Sequence, residues 1–388
     1  YKGKLAGKIV MMDRTPMQIR PNDKADIARN TDEALAKMAA ALPPTPNAAG
    51  APRPANPQAA NNNQMAMMMR MRAVQQAITT MLVEEKVGLV LTQARNSSYG
   101  TLFTSNGASY ALDAKPVAPE LEVSSEDFLH IYRLLKAGKP VEVEAEVKTS
   151  FYDQDPKGYN VVAEIPGTDK ALKSELVMLG GHYDSWHAGT GATDNASGSA
   201  VMMEAVRILK ALKFQPRRTI RIALWSSEEQ GLHGSRNYML KHFGDPSTMV
   251  LKDDHKKLSA YYNLDNGTGK IRGIYLQGNA ASRDIFQAWL DPFKDLGAST
   301  VTISNTGGTD HQAYDALGLP GYQFIQDPMD YSTRTHHSNM DTYERLSEDD
   351  LKQAATIVAS FVYHTSQRDA MMPRKELPKP RPVAQTPA

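Results

Sequence analysis

From about residue 142 onward, short apolar runs and amphipathic stretches take turns along the chain. The runs 158–165, 175–180, 218–226, 258–264, 271–277, 299–303 and 321–326 have strand length and polar or Gly/Pro boundaries. Between and after them, 196–213, 231–243, 281–296, 311–317 and 347–366 carry the apolar spacing of helices. Ser347 with Asp350 three residues later reads as a capping box at the start of the last helix. Such alternation predicts an α/β fold, a mixed, mostly parallel sheet sandwiched by helices.

The first 141 residues are patterned differently. A short strand is expected at 7–12, a helix at 23–42 through Ile27, Ala34, Leu35 and Met38, and a buried strand at 88–92. Ser124 with Asp127 opens a further helix, and 140–150 alternates Val with Glu as a strand with one wet face does. From Pro43 to Asn63 the chain is Pro, Ala and Asn. That stretch has too little apolar surface to offset its ordering entropy, so a disordered or extended insert is expected. Helical spacing resumes over 64–86, with Met65, Met67, Met68, Met69 and Met71. Methionine fills irregular gaps, so these side chains suit packing in a core or against a partner, including a second copy of the chain. The tail from Pro373 is rich in Pro and Lys and is expected to be unstructured. The expected domains are 1–141, 142–372 and the tail 373–388.

Composition narrows the function. Lys plus Arg number 44 against 43 for Asp plus Glu, so the chain has no global basic field for nucleic acid. No apolar run approaches the roughly 18 residues of a membrane span. The absence of cysteine excludes disulfides and thiolate metal sites and suits a secreted or periplasmic location. The chain begins at Tyr1 without a signal-peptide pattern and is expected to be a mature or trimmed form.

In sheets of this kind, ligands bind beyond the carboxyl ends of the strands. His182 and Asp184 follow the run 175–180, and Asp194 precedes the next helix. Glu228 and Glu229 follow 218–226, Asp265 follows 258–264, and His336-His337-Ser338-Asn339-Met340-Asp341 lies beyond 321–326. Each has an ordinary explanation alone: a solvated turn, a helix cap, a core histidine. Together they crowd carboxylates at one edge, where they would repel one another unless a cation sat between them. Imidazole and carboxylate donors without thiolate suit zinc, with cobalt or manganese also admitted. The set is larger than one catalytic zinc needs. It suits two ions sharing a carboxylate, with a further carboxylate free to take a proton from water. His187, in the Gly-rich loop, is expected at the surface; His311 either lines a pocket or starts a helix.

The stretches "GGHYDSW", "GATDNASGSA", "LWSSEEQGLHGS", "NLDNGTG", "GGTDHQAYDALGLPG" and "HHSNMDTYERL" resemble the M28 family of co-catalytic zinc metallopeptidases, most of all its carboxypeptidase Q-like branch. The likeness runs over about 158–368. More loosely, "YKGKLAGKIVMMDRT" resembles the opening of a protease-associated domain, which would make 1–141 a lid. The resemblance implies two zinc ions per chain held by His182, Asp194, Glu229, Asp265 and His337, with Asp194 bridging. It implies Glu228 as general base and Asp184 as the residue orienting His182. Relatives often carry Tyr directly before the last histidine; here His336 stands there and is a candidate donor to the oxyanion. The implied activity is exopeptidase action on short peptides, as an aminopeptidase, dipeptidase or carboxypeptidase. The alternatives are a related amide hydrolase or cyclase, or a non-catalytic surface or assembly protein that keeps the fold.

Overall fold

The computed structural model describes residues 1–12, 25–43, 57–94, 99–104, 108–109, 114–150, 152 and 154–380. The chain divides into two compact units. One comprises Tyr1–Asp23 and Thr45–Asp153; the other, larger, comprises Lys24–Pro44 and Gln154–Ala388.

In chain order the first elements are β1 (Ile9–Met11), α1 (Asp32–Ala39), α2 (Pro57–Glu84), β2 (Leu89–Gln93), β3 (Glu120–Val123) and α3 (Ser125–Lys136). All but α1 belong to the smaller unit, where β1, β2 and β3 form a parallel sheet in that order. Helix α3 starts as its capping pattern predicts: the Asp127 amide donates to Ser124 Oγ at 3.2 Å, and that hydroxyl donates to the Asp127 carboxylate at 2.8 Å. Three expectations differ. The helix expected at 23–42 is confined to Asp32–Ala39, with Thr31 as its cap. Residues 57–63 of the insert are the first turns of α2, because Pro is tolerated at a helix start and Ala and Gln favour the helix without any apolar face. Residues 44–56 lie outside the described residues. The Val–Glu alternation at 140–150 forms no strand. Val143 and Val147 are 39 % and 46 % exposed, so the alternating face covers no apolar layer.

The larger unit continues with β4 (Val161–Ile165), β5 (Leu176–His182), α4 (Ser197–Ala211), β6 (Thr219–Trp225) and α5 (His233–His242). A short hairpin, β7 (Gly244–Asp245) and β8 (Val250–Leu251), precedes β9 (Leu258–Asn263), β10 (Ile271–Tyr275) and α6 (Arg283–Leu290). Then come β11 (Thr300–Thr302), α7 (His311–Asp315), β12 (Gly321–Gln326) and α8 (Glu348–Gln367). Every element expected between 158 and 366 is present, with ends moved by a few residues. The main sheet runs β11-β10-β12-β9-β5-β6-β4. Strands β12, β9, β5 and β6 are parallel; β4 is antiparallel to β6, and β10 is antiparallel to β12.

Strand β5 is buried at all of its positions, as expected of a strand covered on both faces. Its side chains alternate between two cores. Val177 and Leu179 join Val201, Met202 and Ala205 of α4 and Ile357, Val358 and Phe361 of α8. Leu176 and Met178 face Met239 of α5 and Ala313 and Tyr314 of α7.

Residues 25–43, read from sequence with the first domain, belong to the larger unit. Arg29 Nη1 lies 2.9 Å from Asp327 and 2.8 Å from Asp350, and the Asn30 amide donates to Asp327 at 2.9 Å. The capping box expected at the last helix is not formed: Ser347 makes no side-chain cap, its amide donates to Thr268 Oγ1 at 2.6 Å, and the Asp350 carboxylate pairs with Arg29. Asp327 also holds Arg272, at 3.1 Å, and the two side chains are 0 % and 10 % exposed. Asp327→Ala should therefore cost about 3–5 kcal/mol, since it removes the buried counter-charge of Arg272 and leaves only the exposed Asp32, at 3.6 Å; urea unfolding checks this.

Candidate metal centre

Strand β5 connects through α4 to β6 on one side, while β9 pairs with its other side. The crevice where such connections part is where an open α/β sheet places its ligands. His182 is the last residue of β5, and Asp265 stands two residues beyond β9. The register pairs His182 with Trp225, so the loop carrying Glu228 and Glu229 leaves β6 beside His182. Asp194 comes in on the turn that begins α4.

Two sets of donors meet at Asp194. His182 Nε2 is 3.3 Å from Asp194 Oδ1 and 3.3 Å from Asp265 Oδ1. His337 Nε2 is 2.9 Å from Glu229 Oε2 and 3.3 Å from Asp194 Oδ2. Each oxygen of one carboxylate thus faces its own histidine and its own acid. His182 Nε2, Asp194 Oδ2, Glu229 Oε1 and Asp265 Oδ1 are buried without a hydrogen-bond partner among the described residues. Buried polar atoms are rarely left so. Carboxylates only accept when ionised, so they cannot satisfy one another. Two divalent cations would satisfy both sets, and the donor chemistry fits zinc.

The surroundings fix this arrangement. His182 Nδ1 donates to the main-chain carbonyl of Asp184 at 2.9 Å, which leaves Nε2 to face the centre. The Asp184 carboxylate is farther, at 3.6 Å, and accepts instead from the Glu228 and Glu229 amides at 3.1 and 3.3 Å. Asp184 thus orients His182 through its backbone and the paired glutamates through its side chain. Asp341 accepts from the amides of Thr193 and Asp194 at 2.6 and 3.1 Å. At Gly198 an added Cβ would fall 2.3 Å from the Leu264 carbonyl, so only glycine lets α4 approach the strand end that carries Asp265.

The electrostatics speak of missing positive charge. Burial opposes a charged His182, yet Asp265, Asp184 and Asp194 raise its pKa well above the usual value. His337 is likewise raised against burial, by Glu229 and Asp194. Burial pushes Glu228 up to about 10, with Asp265, Asp310 and Glu229 adding and His182 opposing.

A cavity of about 580 Å³ opens onto the centre, lined among others by Glu228, Arg236, Thr309, Tyr331 and His336. His336 Nε2 is 3.9 Å from Asp194 Oδ2, and its side chain is 40 % exposed. His187 is exposed, as expected. His311 is buried at the start of α7 and lies 3.2 Å from the Thr306 carbonyl, a helix-start role. Asp310 gave no signal of its own in the sequence; it is fully buried beside the centre, with the Ser235 side chain near its carboxylate. Burial raises its pKa to about 7. Only its place in "GGTDH", one loop from the other acids, hinted at this. Tyr331 and Arg236 gave no sequence signal beyond standing near the motif residues.

The model of peptidase family M28 matches residues 160–362. Mouse carboxypeptidase Q is 29 % identical over 304 residues, which cover 78 % of this chain and 62 % of that protein. Aminopeptidase YwaD of Bacillus subtilis is 27 % identical over 201 residues, 50 % of this chain and 42 % of that protein. A peptidase M28 precursor from Shewanella amazonensis superposes with a TM-score of 0.59 at 25 % identity, covering 76 % of this chain and 63 % of that one. The zinc aminopeptidase BSAP of Bacillus subtilis shares the fold, with a TM-score of 0.51 at 22 % identity over 75 % of this chain and 67 % of its own. The chain spans about three fifths of the length of the curated carboxypeptidases it matches.

Proposed function

The chain belongs to peptidase family M28, and from that premise we propose that it is a two-zinc exopeptidase hydrolysing terminal bonds of short peptides. The observation that carries the reading is Asp194, set with one oxygen toward His182 and Asp265 and the other toward His337 and Glu229. Zinc bound there would supply Lewis-acid polarisation of a peptide carbonyl and acidification of a water, with cobalt or manganese able to substitute.

The remaining roles fall to the chain itself. Glu228 borders the cavity outside both donor sets and is the general base. Its carboxylate takes a proton from the attacking water and returns it to the leaving amine. Asp184 holds the Glu228 amide in place. His336 and Tyr331 both line the cavity and are the candidate donors to the carbonyl oxygen in the transition state.

The smaller unit is proposed as a protease-associated-type domain on the strength of its "GKIVMMDRT" opening. Secretion or a periplasmic location is supported by the lack of cysteine, and no described helix is long and apolar enough to cross a membrane.

An exopeptidase needs a free terminus. Zinc-loaded protein should cleave short peptides that have one, and chromatography should show terminal residues released. Efficient cutting of a peptide blocked at both ends would refute the exopeptidase reading.

A further inference from the structure

The Gly-rich loop 185–191 supplies none of the five donors, yet it packs on the segment that carries His337. At Gly189 an added Cβ would lie 2.8 Å from the carbonyl oxygens of both Asp341 and Ser338. Thr190 fastens the same contact, its amide donating to the Asp341 carbonyl at 2.8 Å and its hydroxyl at 2.9 Å. Nearer the start of the loop, the Trp186 ring lies 5.9 Å from the His337 ring, tilted by 58°.

His337 is the donor most in need of such support. The side chains of His182, Asp194, Glu229 and Asp265 are 1 %, 4 %, 3 % and 6 % exposed, and that of His337 is 23 % exposed. It stands on no strand, and its φ of +58° is left-handed. A non-glycine residue there costs about 1–2 kcal/mol and persists only where its neighbours over-determine it. The Trp186 Nε1 is buried and finds no hydrogen-bond partner among the described residues. Among the described residues the indole thus meets His337 as a tilted neighbouring ring and not through a hydrogen bond.

We propose that loop 185–191 is a clamp for one half of the centre, with Trp186 as a positioning residue for His337 and Gly189 as the close contact that seats the loop. The clamp sets the affinity of the His337–Glu229–Asp194 set and leaves the His182–Asp265–Asp194 set alone. The proposal rests on the two-ion reading and deepens it, because it assigns the two ions separate supports.

The test is cobalt titration of the full chain, followed by visible absorption and competing chelator. Trp186→Ala should bind the first ion as the parent protein does and the second about 10–100-fold more weakly, the usual effect of losing a support behind a ligand. Gly189→Ala should act in the same direction. Trp186→Phe, which keeps a ring face, should restore most of the second-ion affinity and its absorption spectrum. A second arm needs no metal. In the metal-free protein, the His337 ring resonances should shift and broaden in Trp186→Ala and return in Trp186→Phe. The clamp is overturned if Trp186→Ala keeps both affinities, weakens both alike, or is not rescued by Phe. A parent protein that takes up a single ion contradicts the two-ion reading instead, and the metal-free His337 signal then decides the clamp by itself.

Discussion

Glu228→Gln should keep its fold and its metals while losing about 10²–10⁴-fold in turnover, the usual contribution of a positioned general base. The amide preserves the size of the side chain and its place in the cavity but cannot take up a proton. The Glu228 side chain is not among the donors that meet at Asp194, so metal content should not change. The neighbouring variant is the control. Glu229→Gln removes a donor 2.9 Å from His337 Nε2 and should weaken metal binding first, with activity following. Steady-state kinetics beside elemental analysis of the two variants separates the roles. Near-normal turnover in Glu228→Gln would mean that another group is the base.

Asp194→Ala should be the most damaging change to the metals. Its two oxygens face different histidines, each at 3.3 Å, so removal takes a donor from both sets at once. Losing a residue that merely supports a ligand already costs about 10–100-fold in affinity, and losing a shared ligand should cost more at both positions. Asp265→Ala touches only the His182 set, so one ion should still bind it well. Equilibrium dialysis against zinc distinguishes the two patterns. An Asp194→Ala protein that loses one ion only would show that Asp194 does not bridge.

The sheet was legible because its strands are apolar runs flanked by polar turns and its helices keep a 3.6-residue spacing, signals that are local to the chain. The donor set was legible for a related reason. A parallel sheet delivers its strand ends to one edge, so acids and histidines after 175–180, 218–226 and 258–264 had to meet. What stayed hidden depends on distant partners. Asp350 reads as a helix cap until Arg29, far away in sequence, takes it. Residues 25–43 read as part of the first domain until Asp327 holds Asn30. Asp184 was expected to orient His182, and only the folded loop shows that its main-chain carbonyl meets the ring while its carboxylate accepts from the glutamate amides. The alternation of Val and Glu at 140–150 fails the other way, as a local strand signal whose valines stay exposed.

The most direct measurement is the number of divalent ions bound per chain at saturation. Purified protein, stripped with chelator and reloaded with excess zinc, should contain about two per chain, because Asp194 faces two complete donor sets. One ion per chain under the same excess would contradict the account, leaving Asp194 as a ligand of a single ion and one histidine–acid pair without a role in the centre.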